Sequence, residues 1–371
     1  MTKGVFKIAL VIAVVSGLAA CSKNDDAPTI QPYTVPTTYD FQNADYAEAT
    51  VAVNMWSGFT GYLGKGSTRQ LSQDTVNNLW NNTGNSFTTE FVTNLPNTAQ
   101  QLNSAGFNLA SKTAEPLVIK AFADSMVKVS QYYNTPGTEG IPGKQGSRLV
   151  NYAGYEFNQG VAKGLMGAMQ LAKVIQHLEA STKADNNAVV AGKGTAMQHE
   201  WDMAFGYVGI PKTYDTAKAY ANTDTERPLA VGGYFAERGK YIKAGGTTFE
   251  AFRKGRAAIG AKDYAVRDAA MVTIKQTIEK TMAAACYYYI THPQAITDRP
   301  SQLHELSEGR SFITALKFRA SNSLLSPANY QTLVDIIGVN QSAYGLINDA
   351  SFTKLKQAQQ ILTTTYGQLQ P

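Results

Sequence analysis

KDYAVRDAAMVTIKQTIEKTMAAACYYYIT, residues 262–291, decides the fold. Its apolar and polar residues recur with helical spacing, and nothing interrupts them before Pro293. Working outward, Asp298–Ser321 reads as another helix, with Pro300 near its start. Pro327–Ile337 and Ser351–Leu369 follow. Toward the N-terminus, the same spacing predicts helices over Ala184–Gly206, Tyr155–Glu179, Thr113–Tyr133 and Ala44–Leu63. GTEGIPGKQG at 137–146 reads as a loop. Alternating β-branched runs are few, which disfavours a large sheet. The expectation is an all-α protein. Glycines 160, 164, 167, 192 and 194 are costly in helices. They mark either close helix–helix approach or a kinked or interrupted helix. Residues 211–246 contain Pro211, Pro228 and paired glycines. They are expected to connect two packed helical-bundle lobes, 41–210 and 247–371.

The N-terminus carries a different pattern. In MTKGVFKIALVIAVVSGLAAC, Lys3 and Lys7 precede an uncharged, apolar-rich stretch from Ile8 to Ala20. That stretch is too short to remain as a membrane-spanning helix. Leu18-Ala19-Ala20-Cys21 looks like a bacterial lipobox, so 1–20 is expected to be a cleaved lipoprotein signal peptide and Cys21 the lipidated first residue. The other reading is an ordinary signal peptide with a chance cysteine. Ser22-Lys23-Asn24-Asp25-Asp26 resembles the export signal that sends Bacteroidetes lipoproteins to the outer face of the outer membrane; a generic solvated tether reads alike. Residues 27–40 hold three prolines and complete an extended tether over 21–40. The expected address is the outer membrane, reached through a lipid anchor and exposed at the cell surface.

Removing Lys3 and Lys7 takes the formal charge from +5 to +3, which argues against a nucleic-acid partner. With Cys21 lipidated, Cys286 is the only thiol left and no intramolecular disulfide can form. Cys286 is expected to be buried and inert.

Two stretches bring metal-ligating residue types together. In GTAMQHEWDMAFGY at 194–207, His199 and Asp202 are one helical turn apart. In HELSEGR at 304–310, His304 and Glu308 are again one turn apart. An imidazole and a carboxylate so spaced can share a metal, and bundles build such sites from facing helices. If all four converge, iron or zinc suits the donor set better than calcium. The alternatives are capping, surface ion pairing or a satisfied core network.

QHEWDMAFGYVGIP at 198–211, FNQGVAKGLMGAM at 157–169 and HELSEGRSFITALKF at 304–318 resemble an uncharacterised Bacteroidetes lipoprotein family, domain of unknown function 4856. YTVPTTYDF at 33–41 fits its start. The chain is also similar in style to imelysin-like proteins, two-lobed helical bundles linked to bacterial iron uptake. Those carry a Gly-x-His-x-x-Glu motif. Here Asp202 stands for the Glu, and Met197-Gln198 stand where the glycine falls. The His304–Glu308 spacing is one residue longer. The resemblance implies binding of a metal or iron complex, with an outer-membrane transporter as partner.

Other residues read more simply. Glu90, Glu115 and Glu156 could add oxygen ligands if the fold gathered them. His177 suits a half-buried helix position and His292 a helix end. Trp56, Trp80 and Trp201 suit core anchors. Tyr287-Tyr288-Tyr289 point three ways from a helix. The 20 tyrosines could alternatively serve carbohydrate or partner contacts. No Gly-x-Ser-x-Gly elbow, His-Glu-x-x-His pair or phosphate-cradling loop supports an enzyme. Two classes remain: a surface lipoprotein that binds a metal or iron complex for uptake, and a structural or interaction lipoprotein in a glycan- or protein-capture assembly with no metal.

Overall fold

The computed structural model describes residues 29–371, so the expected signal peptide, Cys21 and the acidic stretch after it lie outside the described residues. The chain is all-α. Its helices are α1 (Ala47–Gly64), α2 (Gln73–Asn81), α3 (Thr89–Val92), α4 (Ala99–Asn103), α5 (Leu109–Lys112), α6 (Pro116–Ser130), α7 (Phe157–Leu165) and α8 (Ala172–Ser181). They continue with α9 (Ala196–Val208), α10 (Val231–Glu237), α11 (Ala244–Ala261), α12 (Tyr264–Thr291), α13 (Arg299–Leu316), α14 (Pro327–Ile337), α15 (Ala343–Asn348) and α16 (Thr353–Tyr366). No described helix is long and apolar enough to cross a membrane.

Local chemistry sets the boundaries. The Asp263 side chain accepts from the Val266 amide and starts α12; His292-Pro293 ends it in a 3₁₀ turn. Asp298 caps α13 through the Ser301 amide, with Pro300 in the first turn. Ser326 caps α14 in the same way, ahead of Pro327. The first half of α12 is one-sided, but Thr281 to Cys286 are all buried. The three alanines there let neighbours approach from every side, so α12 becomes the central helix, packed by α11, α13, α16 and α10. Cys286 is fully buried, and burial raises its thiol far above the ordinary range. It is inert for that reason.

Several expectations need correction. The helix expected over Ala184–Gly206 begins only at Ala196. Before it, β3 (Val189–Val190) pairs antiparallel with β4 (Gly194–Thr195) across a turn at Gly192, whose φ is +78°. The loop at 137–146 contains β1 (Gly143–Gln145), paired with β2 (Arg148–Val150). The helix read over Tyr155–Glu179 is α7 and α8 joined by a π-helical turn, Met166–Leu171. Both readings of its glycines apply. A Cβ on Gly167 would lie 2.4 Å from the Ala315 Cα, so α13 crosses against the glycine where the helix is interrupted. The π turn also directs the buried Gln170 at two neighbours. Its Nε2 donates to the Tyr207 carbonyl at 2.9 Å, and its Oε1 accepts from the Val231 amide at 3.2 Å.

Buried apolar residues of 41–210 and 247–371 belong to one continuous core. Helix α7 lies against α13, and α9 against α11. Residues 211–246 contribute α10, whose Val231, Tyr234 and Phe235 are buried in that core. Nor is all of 21–40 a free tether. Residues 31–40 form a strap over α11: the Gln31 amide donates to the Ala261 carbonyl, the Tyr33 hydroxyl to Asp263, and Arg253 to the Pro36 carbonyl. Tyr39 then enters the core and stacks on Phe205, with ring centroids 3.7 Å apart.

Candidate functional site

The strap and α11 close the first charged cluster. Asp202 faces inward from α9 and is fully buried. Its Oδ1 accepts from the Tyr39 hydroxyl at 2.7 Å and from Arg256 Nε, on α11, at 2.8 Å. Burial pushes the Asp202 carboxyl up, and the Arg256 guanidinium does not fully reverse it. His199, one turn earlier, shares none of these partners, and its Nδ1 is buried without a hydrogen bond. Between them in sequence, Trp201 is fully buried, with Nε1 donating to the Phe252 carbonyl at 3.0 Å.

The second cluster lies where α7, α12 and α13 meet. Lys163 Nζ donates to Glu308 Oε1 and to Gln159 Oε1, each at 2.6 Å. His304 Nδ1 lies 2.9 Å from Glu156 Oε1, and its Nε2 lies 3.7 Å from Glu308 Oε1. Burial alone would push the Glu308 carboxyl up; Lys163 and His304 together hold it below the usual carboxylate range. A lysine ammonium thus occupies the position beside Glu308 that a metal would need. The cluster continues outward through Tyr289, whose hydroxyl donates to Glu237 at 2.8 Å and accepts from Arg238 Nη2 at 3.3 Å.

The structure therefore does not bring His199, Asp202, His304 and Glu308 to one point. Among the described residues, no group of three or more His, Cys, Asp or Glu is arranged to hold a metal ion. Asp202 is spent on Arg256 and Tyr39, and Glu308 on Lys163. Of the further candidates, Glu156 meets His304, Glu90 pairs with Lys65, and Glu115 pairs with Lys317.

Sequence reasoning missed two ties of the same kind. His177 on α8 lies 2.6 Å from Glu200 on α9, and His292 lies 2.8 Å from Glu305 on α13. The carboxylates that follow His199 and His304 in sequence point away from them, as a helix requires, and each meets a different histidine. Trp80 and Trp201 are core anchors, and Trp56 is half-buried with Nε1 donating to the Ala162 carbonyl at 2.9 Å.

A cavity of about 230 Å³ lies beside the first cluster, lined in part by Tyr46, whose ring centroid is 6.2 Å from that of Tyr39. Its floor is Val53 and Asn54 of α1, Gly206 of α9, Ile210 and Leu229; its rim carries Pro96, Lys212, Thr225, Glu226 and Arg227. Gly206 is required there, because a Cβ would lie 2.8 Å from the Tyr46 Cβ. No sequence motif marks this cavity, since its parts come from three separate stretches of chain.

An all-α protein with two buried ion-pair clusters and, among its cavities, a small one of mixed polarity is the class this geometry defines. The chain belongs to the family described as Domain of unknown function (DUF4856), matched over residues 36–367. That span takes in both clusters, the cavity and the Tyr39 end of the strap. It is also the family that the 157–169, 198–211 and 304–318 stretches resemble. No curated protein and no solved structure matches the chain.

Proposed function

We propose that this chain is an exported interaction lipoprotein, anchored through Cys21 to the outer face of the outer membrane, working in a capture assembly without a metal. The supporting observation is that Asp202 and Glu308, the two carboxylates among the four sequence-selected residues, are held apart in separate ion pairs, one with Arg256 and the other with Lys163. A carboxylate already held by a buried cation at 2.6–2.8 Å must lose that partner before it can ligate a metal. The His177–Glu200, His292–Glu305 and His304–Glu156 contacts serve the bundle, each joining two different segments of the fold. The imelysin-like iron reading is set aside on the same ground, because the residues nearest that motif, His199 and Asp202, share no common point. The address rests on Leu18-Ala19-Ala20-Cys21 and the acidic residues after it, the pattern of Bacteroidetes surface lipoproteins.

Calorimetric titration of zinc and of ferrous iron into the purified chain tests the choice. The expected result is no saturable heat with either metal. A saturable one-to-one heat that His199→Ala or His304→Ala removes would restore the metal reading. The address is tested separately. Added protease should shed the protein from whole cells, and Cys21→Ser should move it from the membrane to a soluble fraction. Unchanged lipid labelling of Cys21→Ser would refute the anchor.

A further inference from the structure

We propose that the N-terminus of α11 binds a tetrahedral oxyanion, a phosphate or sulfate group. This rests on the interaction reading and deepens it by naming what the surface captures. The site is a cavity of about 650 Å³ where residues 214–219, α10 and the first turn of α11 meet. In that turn the Gly245 and Gly246 amides have no acceptor among the described residues. First-turn amides point back past the end of a helix, where its dipole is positive. The usual remedies are missing. The N-cap is Lys243, whose side chain has no acceptor to offer, and no acid stands in the first turn.

A second group, independent of the helix, points to a ligand. Tyr214 lines the cavity, is only 7% exposed, and its hydroxyl has no hydrogen-bond partner among the described residues. Asn54 Oδ1 and Thr248 Oγ1 are unpaired because protein seals them off; the Tyr214 hydroxyl is unpaired and keeps accessible surface. It stands directly over the first turn of α11, since a Cβ on Gly245 would lie 2.3 Å from it. Only glycine lets the hydroxyl come this close. The ring is stacked on Tyr220, with centroids 6.2 Å apart, and meets Phe249 edge-on at 5.8 Å. Burial, then Tyr220 and Asp215, push the phenol up to about 12, so it stays protonated and can donate.

The charges select the class. The lining carries Lys218, Lys240 and Lys243 against one carboxylate, Glu250. Glu250 is held by Lys254 at 2.5 Å, and Lys218 by Asp224 at 2.9 Å. Lys240 and Lys243 are exposed and have no acid partner among the described residues. Two free ammoniums beside the positive end of a helix are unfavourable, and an anion seated between them reverses the sign. The donors are two amides, one hydroxyl and two ammoniums. A carboxylate brings only two oxygens to them, whereas a phosphate or sulfate ester brings three. The cavity is larger than the anion, which leaves room for the group that carries it. KYIKAGGTT at 240–248 fits no phosphate-loop motif, so the site is visible only once Tyr214 is placed over Gly245.

The test is calorimetric titration of the detergent-purified full chain, at low ionic strength, with inorganic phosphate, inorganic sulfate, phenyl phosphate and phenyl sulfate. Acetate and phenol are the control probes. At least one oxyanion should bind saturably. Tyr214→Phe removes only an unpaired hydroxyl, so it should weaken binding about tenfold or more, the loss of one hydrogen bond to a charged group, without moving the unfolding midpoint. Lys240→Gln with Lys243→Gln, at exposed positions, should also weaken binding and leave the midpoint in place. Esters that bind more tightly than the free ions identify a group carried on a larger molecule; otherwise the free ion is the ligand, and either result supports the proposal. No saturable oxyanion, binding unchanged in either variant, or acetate or phenol bound as tightly as the best oxyanion overturns it. Such a failure is distinct from failure of the interaction reading, which rests on the metal titration.

Discussion

Arg256→Ala should destabilise the protein by about 3–5 kcal/mol, read as a fall in the urea unfolding midpoint. The guanidinium lies 2.8 Å from an Asp202 carboxylate with no exposure, and removing it leaves that charge with only the Tyr39 hydroxyl. The pH dependence has a definite sign. Burial already pushes the Asp202 carboxyl up with Arg256 present, and the variant should push it further. A carboxyl whose folded pKa exceeds its unfolded value favours the folded state as pH falls through that raised value. The deficit in Arg256→Ala should therefore shrink on acidification. Replacing both partners, Asp202→Leu with Arg256→Leu, should recover most of the loss, because no buried charge is then left unpaired. An Arg256→Ala midpoint within error of the wild type would show that this pair does not hold the strap, α9 and α11 together.

Lys163→Met should cost a similar amount, about 3–5 kcal/mol near neutral pH, and should reverse a slope. In the wild type, the Glu308 carboxyl is held below the ordinary range by Lys163 and His304 against its burial. Its contribution is thus present above the ordinary carboxylate range and is lost as pH falls through the folded value. Without the ammonium, burial dominates and the carboxyl rises. The variant should then gain stability as pH falls from about 7 to about 5, where protonation relieves the buried charge. Unfolding midpoints at several pH values check this. Parallel slopes in the two proteins would contradict it.

These pairs also show where the sequence stops being informative. Helix ends were legible because their causes are local. Asp298 with Pro300, Ser326 with Pro327 and Pro293 each act within one turn. The start of α9 has a local cause too: Thr195 and Gln198 form a capping box, and that spacing stands in the sequence. Gly192 and Gly194 before it, both at positive φ, mark the hairpin instead of a helix. The clusters were only half legible. One-turn spacing correctly put His304 and Glu308 on one face of α13, but Lys163 is 145 residues from Glu308, and Tyr39 is 163 from Asp202. No periodicity encodes such a pairing. The strap is illegible for the same reason: its prolines and lack of helical spacing describe a tether equally well, and only Tyr39's destination distinguishes them.

The central claim is that the histidine–acid pairs tie helices together without a metal. The most direct measurement is a double-mutant cycle on His304→Gln and Glu156→Gln, run once in excess chelator and once with added zinc. Side chains 2.9 Å apart that act on each other directly should show a coupling of about 0.5–3 kcal/mol in chelator, unchanged by zinc. Coupling that vanishes in chelator and returns with zinc, together with a wild-type midpoint that climbs with metal concentration, would contradict the claim.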